Sequence, residues 1–365
     1  MLNIVQTPAI ARTQVPLDRT HLAAEWLLDS GICRPGFGVA EDYRTDGREY
    51  APVSRKATAH YVSALLWLFE KRGETRYIDR ALTAAQYLSR SSRDMSGLTL
   101  AGGMVRYDRS ADRRFDEGSA IIRALVESWH ASQHSEFLTK AIECGYAMQR
   151  IPGLCGLESA RGWLELALAT GKAQWRELYD QALTWSLSFY RVFFEPDKQD
   201  VRAASTTKVA GFPSATGLTN RCCFLEALLA HISQPGSRSD ETVGIFEKLF
   251  EVTSNEIRTI ARKTTSRNDV PTEAYARLLR LRLQAGGLGL IKLDAHQAER
   301  EARLIRDMQA DHYDARIRGG YYTGRPSNVF ARVVGLSTTA VSLQALEQWQ
   351  QYQDSCLRPC LPQLV

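Results

Sequence analysis

Residues 54–88 read SRKATAHYVSALLWLFEKRGETRYIDRALTAAQYL. In the first half, Ala57, Tyr61, Ala64, Leu65 and Leu68 recur at helical spacing, and apolar residues cover most of the surface from Ala59 to Phe69. Lys71, Arg72 and Gly73 then stop the helix. Basic side chains suit the negative end of the helix dipole, and glycine accepts the left-handed turn that follows. A second helix starts at Thr75 and carries Ala81, Leu82, Ala85 and Leu88 on one face. A helix that is apolar nearly all round is buried, whereas a one-sided helix faces solvent. The stretch therefore predicts a hairpin of one inner and one outer helix.

The same unit returns along the chain. Residues 116–131 (Ile121, Ile122, Leu125, Trp129) precede 135–149, and 157–170 (Trp163, Leu164, Leu166, Leu168) precede 174–194. Residues 217–232 precede 241–263, and 271–284 precede 294–310. The last inner candidate is 328–352, and the N-terminal helix 19–30 is left to serve as its outer partner. That makes six pairs and predicts an all-α fold, an (α/α)6 toroid of six helical hairpins with short β-hairpins in the mouth loops at Gly102–Tyr107 and Gly319–Thr323. The toroid is read as a single domain, 1–352, followed by a C-terminal tail, 353–365. An open solenoid is the alternative. Closure is favoured because the count reaches six only if the first helix packs on the last. The repeats also lack a fixed length and differ mainly in the loops of one face.

Composition narrows the function classes. The formal net charge is +5 over 365 residues, with Lys and Arg spread along the chain, so no basic stripe for nucleic acid is expected. No apolar run approaches the roughly 20 residues that span a bilayer, and Met1–Pro16 lacks a basic head followed by an apolar run. The seven cysteines (Cys33, Cys144, Cys155, Cys222, Cys223, Cys356, Cys360) are an odd number in a long chain, which favours reduced thiols and a cytoplasmic location. Cys356 and Cys360 have no His or second Cys pair nearby, so no metal is expected there.

The connections differ by end. Inner-to-outer turns are short, whereas Gly31–Val53, Ser91–Phe115, Glu195–Thr216 and Asp311–Ser327 are long and all lie where inner helices begin. Loops held by a rigid scaffold carry function, and helix N-termini present free N–H groups and positive dipole ends to anionic or hydroxyl-rich ligands. The polar residues at this mouth are the candidate site. Asp116, Glu158 and Glu273 are the catalytic candidates, with Asp42 a further acid in the first loop. Arg55, His60, Arg161, Asn220, Arg221, Tyr322, Asn328 and Arg332 are the substrate-binding candidates. Helix capping is the plainer explanation for Asp116 and Glu117. Glu158 and Glu273 begin helices whose other faces are apolar, so both are expected to be partly buried. Arg161 and Arg277, three and four residues on, leave simple ion pairing open for them. Phe37, Tyr43, Tyr50, Tyr107, Phe115, Phe212, Tyr321, Tyr322 and Phe330 offer aromatic faces in the mouth loops.

Residues 43–52 (YRTDGREYAP) and 72–81 (RGETRYIDRA), the acidic opening at Phe115-Asp116-Glu117-Gly118, and Gly319-Gly320-Tyr321-Tyr322 followed by Ser337 to Leu346 resemble the repeats of the six-hairpin glycosidase-like superfamily. The resemblance spans nearly the whole chain, in periodicity more than identity. It implies an (α/α)6 fold with a carbohydrate site at the mouth. Unsaturated uronyl hydrolases of this superfamily use an acid at the ring mouth to hydrate a sugar double bond, which makes Asp116 the best single candidate for acid/base work. Arg55, Arg221 and Arg332 would then hold a uronate carboxylate. The chain lacks the His pair of sugar 2-epimerases, the Asp-rich motif of terpene cyclases and the His-Gly that follows a cysteine in lanthionine cyclases.

The expected function is therefore acid/base hydrolysis or modification of a uronate-containing or other acidic glycan. It would need no cofactor and take a small-molecule or oligosaccharide substrate. The alternative is a non-catalytic toroid of polysaccharide biosynthesis that binds a glycan or a partner protein. The two part on whether the carboxylates share one cavity or are each locked to a helix start or an Arg.

Overall fold

The computed structural model describes residues 18–34, 36–91, 109–151, 155–194, 214–262, 270–324 and 333–357. Among these residues the chain forms twelve helices and six strands of two or three residues. The helices are α1 (Arg19–Asp29), α2 (Arg55–Arg72), α3 (Thr75–Ser91), α4 (Arg109–Ser132), α5 (Ser135–Gln149), α6 (Leu157–Thr170), α7 (Ala173–Phe194), α8 (Ser214–Ile232), α9 (Asp240–Arg262), α10 (Thr272–Gly287), α11 (Ala295–Arg306) and α12 (Leu336–Leu357).

Contacts run from α2 to α4, α6, α8, α10 and α12 in turn, and α12 packs back on α2. This last contact closes the ring and excludes the open stack. The odd-numbered helices form the outer layer, with α1 packed on α12 as its outer partner. Burial separates the two layers. In α2 the buried residues Ala57, Thr58, Ala59, Tyr61, Val62, Ala64, Leu65, Leu66 and Leu68 wrap most of the helix. In α3 the buried set is a stripe, Tyr77, Ala81, Ala84, Ala85, Leu88 and Ser89.

The inner helices are not apolar on every side. Each carries a narrow, incompletely buried row at helical spacing: residues 56, 60, 63 and 67 on α2; 116, 123 and 127 on α4; 158, 161, 165 and 168 on α6; 219, 223, 226 and 230 on α8; 273, 277, 280 and 284 on α10; and 337, 344 and 348 on α12. Most of these residues are polar or charged. They are the axis-facing rows of the ring.

Several boundaries move. α4 starts at Arg109, about two turns before the expected 116. Asp116 and Glu117 therefore lie inside a helix and do not cap it. The last inner helix starts at Leu336 and not at 328, because Val333–Gly335 is a strand. Two β-branched residues before a glycine suit an extended edge better than a helix. α12 also runs to Leu357, past the expected boundary at 352. At Gly319–Thr323 only single bridges form, Tyr321 to Gln309 and Tyr322 to Val334. The expected hairpin at Gly102–Tyr107, with Asn328 and Arg332, lies outside the described residues.

The long loop before α2 folds into strands β1 (Cys33–Arg34), β2 (Gly38–Ala40), β3 (Asp42–Arg44), β4 (Glu49–Tyr50) and β5 (Val53–Ser54). β3 pairs antiparallel with β6 (Val333–Gly335), placing Asp42 opposite Gly335. The Leu336 N–H donates to the Glu41 carbonyl at 2.9 Å. The loops entering α2 and α12 are thereby bound together across the seam.

The short turns share one device. α2 and α6 end at Gly73 (φ 70°) and Gly171 (φ 66°), both left-handed. The corresponding residue after α4 is Gln133, at φ 59°. A side chain in that region costs about 1–2 kcal/mol that glycine avoids. The Gln133 amide bond to the His130 carbonyl at 2.9 Å returns part of that. Gln133→Gly should therefore stabilise the protein by about 0.5–1 kcal/mol, read as a higher thermal midpoint. A lower midpoint would show that the side-chain bond outweighs the backbone strain.

Candidate functional site

The axis-facing rows open into a cavity of about 810 Å³ at the N-terminal ends of the inner helices. It is lined from every inner helix and also from β3, α7 and α9. Asp116, Glu158 and Glu273 all reach it, as do His60, Arg161, Asn220 and Arg221.

Asp116 is held from two neighbouring helices. The Ser159 hydroxyl of α6 donates to its Oδ1, and Lys56 Nζ of α2 lies 3.6 Å from Oδ2. Gly162 makes this possible, because α4 and α6 are so close there that an added Cβ would lie 2.9 Å from the Ser119 Cα. The Gly162 N–H uses that closeness to donate to Ser119 Oγ at 3.0 Å. Glu158 stands in the first turn of α6 and is exposed to the cavity, contrary to the expected partial burial. The reason is that α6 begins right at the mouth. Its first N–H, that of Leu157, donates to Ser186 Oγ of α7 at 3.0 Å, while those of Ser159 and Ala160 donate to the Gly156 carbonyl at the cap.

Glu273 behaves as the ion-pairing alternative describes. Its Oε1 accepts from Arg277 Nη2 at 2.7 Å, from Arg277 Nε at 3.0 Å and from the Ser337 hydroxyl at 3.2 Å. Arg277 also donates through Nη1 to Glu226, which lies 3.7 Å from Arg280. Burial alone would raise the Glu226 carboxyl, but Arg277, Arg280 and Arg161 together hold it below the ordinary carboxylate range. It is a charged buttress, not a proton donor.

His60 faces the cavity while protein encloses it on the other sides. Burial, then the charges of Lys56, Arg277 and Arg123, lower its pKa to about 3. At neutral pH it is an uncharged imidazole. Asp42 is the opposite case. Its Oδ1 is buried without a hydrogen-bond partner, and burial raises its pKa despite the nearby Arg44.

Some expected residues are elsewhere. Arg55 does not line the cavity, because Nε donates to Glu117 Oε1 at 2.6 Å. With Asp116 inside α4, the next residue points away from the axis and captures Arg55. Arg221 lines the cavity, but its Nη2 is taken by Glu256 of α9. Tyr322 is held in its bridge to Val334 and is not part of the lining. Among the expected aromatics Phe115 lines the cavity, whereas Tyr43 and Tyr321 are fully buried and Phe37 is 71% exposed. The wall instead uses Trp185 and Tyr190 of α7, together with Phe224.

Sequence reasoning also missed Arg123, Ser159, Glu226 and the role of Arg277. The available signal was polar residues at i, i+3/4 and i+7 on otherwise apolar helices. Among the described residues no His, Cys, Asp or Glu side chains group into a metal-binding set, and no helix is long and apolar enough to cross a membrane.

Solved structures share this architecture. An unsaturated glucuronyl hydrolase specific for heparin matches with a TM-score of 0.64 at 10% identity, over 92% of this chain and 97% of its own. The cellobiose 2-epimerase of Spirochaeta thermophila matches at 0.62 and 14%, over 96% and 100%. A glycosaminoglycan-degrading unsaturated glucuronyl hydrolase from Bacillus sp. GL1 matches at 0.63 and 9%, over 91% and 97%. The chain has the six-hairpin glycosidase-like fold. No family model and no curated protein matches the sequence. At these identities the likeness of this toroid to its neighbours is one of fold.

Two outcomes follow from the geometry. Glu273→Gln should impair any cavity-borne binding or turnover more than Glu117→Gln, since Glu117 lies outside the cavity; equal effects would contradict this placement. His60 stays neutral in the fold while the unfolded chain protonates near its ordinary value of 6.5. The unfolded state thus binds more protons as pH falls from about 6.5 toward 3, so stability is present above that window and lost within it. His60→Asn should flatten the fall in thermal midpoint between pH 6.5 and 4; an unchanged slope would refute the neutral imidazole.

Proposed function

We propose that this toroid is a carbohydrate-active enzyme that hydrolyses or otherwise modifies an acidic glycan in the mouth cavity, with Asp116 as the acid/base. The observation that carries this reading is the Asp116 carboxylate itself. It sits well inside a helix where no capping role explains it, faces the cavity, and is oriented by Ser159 and Lys56. A proton-transfer group needs such fixed geometry more than it needs any particular fold. Glu158, exposed to the same cavity, is placed to orient water or a second hydroxyl. Glu273 is better suited to positioning Arg277 than to moving a proton, since its carboxylate already accepts three hydrogen bonds.

The surroundings support a sugar. A cavity of about 810 Å³ accommodates a ligand of two or three rings. Trp185, Tyr190 and Phe115 give apolar faces, while Asn220, Ser337 and Thr219 supply hydroxyl partners. The neighbours named above act on sugars by different reactions: two are glucuronyl hydrolases and one is a cellobiose 2-epimerase. That breadth supports carbohydrate over any single reaction.

The second reading, a glycan-binding toroid without chemistry, draws on the locked Glu226–Arg277–Glu273 group, which is a binding or structural arrangement. The two readings separate on Asp116→Asn, an isosteric change that keeps the Ser159 bond available. In a screen of uronate-containing oligosaccharides, wild type should turn over at least one substrate. Asp116→Asn should bind it with similar affinity yet lose about 100-fold or more in turnover. Wild-type turnover in the variant would remove Asp116 from the chemistry, and binding without turnover by the wild type would favour the second reading.

A further inference from the structure

Five cationic side chains among the described residues line the cavity: Lys56, Arg123, Arg161, Arg221 and Arg277. Four are matched to carboxylates. Lys56 lies 3.6 Å from Asp116, Arg123 lies 3.6 Å from Glu127, Arg221 pairs with Glu256, and Arg277 pairs with Glu226 and Glu273. Arg161 alone of the five makes no ion pair and no hydrogen bond among the described residues.

Its surroundings sharpen the anomaly. Arg123 is the charge that acts on Arg161 most strongly, and it is a like charge, while Glu226 and Glu165 attract it without contact. The Arg123 Nε is itself buried with no acceptor. Around His60, on the neighbouring wall, Lys56, Arg277 and Arg123 together disfavour a fourth positive charge. A guanidinium in such a place costs free energy unless an anion meets it. It also presents a planar fork of donors that matches the two oxygens of a carboxylate or a sulfate.

We propose that Arg161, backed by Arg123, is the anion subsite of this cavity. It receives the carboxylate or sulfate ester of an acidic sugar about one helical turn below the rim at Glu158. The proposal rests on the reading that the cavity takes a carbohydrate, and it replaces Arg55 and Arg221, which are engaged elsewhere, as the charge readers. The side chain of Arg123 starts two turns beyond Asp116, but long side chains lean toward the helix N-terminus, which brings its head back toward Arg161. Because Arg161 lies deeper than Glu158 and the Ser159–Asp116 pair, the charged group of the ligand enters first and its neutral part faces Asp116.

The test is binding of D-glucuronate, D-glucose 6-sulfate and D-glucose at matched ionic strength, followed by saturation-transfer NMR and thermal shift, to wild type, Arg161→Met and Arg161→Lys. Wild type should bind one of the charged sugars at least about tenfold more tightly than glucose, and which one it prefers identifies the anion. Arg161→Met should lose that preference while still binding glucose, and Arg161→Lys should keep part of it. Without ligand, Arg161→Met should melt at a higher temperature than wild type, because it removes an unmatched charge; a purely structural arginine would do the reverse. If all sugars bind wild type equally, or Arg161→Met keeps the charge preference, the subsite is overturned while carbohydrate binding stands. If no sugar binds, the carbohydrate reading itself fails. A lower melting temperature for Arg161→Met shows that the side chain is matched within the fold, and overturns the subsite as well.

Discussion

The packing of α12 against α2 is the contact on which the rest depends. Without it the molecule is a row of helical hairpins with one long edge, and the axis-facing rows of the inner helices look out on solvent. With it, six helices surround a space that their own side chains do not fill at the mouth. Polar groups are tolerable there because the space opens to the outside, whereas the same groups turned toward a neighbouring helix without a partner would be stranded. The ring sorts each inner helix into apolar flanks that pack on its neighbours and one mostly polar row that faces the axis, where side chains pair from helix to helix, as Lys56 does with Asp116 and Arg277 with Glu226.

Closure also explains the small sheets. The seam between the first and last inner helices is the one place where chain continuity does not help packing. There the strand at Asp42–Arg44 pairs with Val333–Gly335, and Leu336 donates to the Glu41 carbonyl. This clasp uses backbone hydrogen bonds, which need no particular side chains, and so leaves Glu41 and Asp42 to line the cavity. A loop that reads as a simple connector in sequence thus acts both as fastener and as wall.

The electrostatics of the cavity form two tiers. At the rim, carboxylates and hydroxyls alternate with a lysine, and Asp116 is fixed by contacts from α2 and α6. One turn down, arginines dominate and an imidazole is kept neutral among them. Acidic groups over basic groups make a site that orients a ligand by charge along the ring axis. The Glu226–Arg277–Glu273 group stiffens one wall, because two carboxylates share one arginine and neither can leave it without uncovering a buried charge.

Much of this was legible in the sequence. The 3.6-residue period, the difference between all-round and one-sided helices and the left-handed stops at Gly73 and Gly171 are local properties, and they determined the hairpins and their number. That the long loops share one end with Asp116, Glu158 and Glu273 followed from connection lengths alone. Tertiary structure decided the rest, because partnership is not local. Arg55 was lost to Glu117, and Arg221 to Glu256, since a long side chain pairs with whichever carboxylate the fold brings near. Asp116 changed from a possible cap to a cavity group once α4 began at Arg109. Arg161 looks in sequence like an i+3 partner for Glu158; only the closed ring leaves it facing the cavity, with the other cationic side chains there already matched.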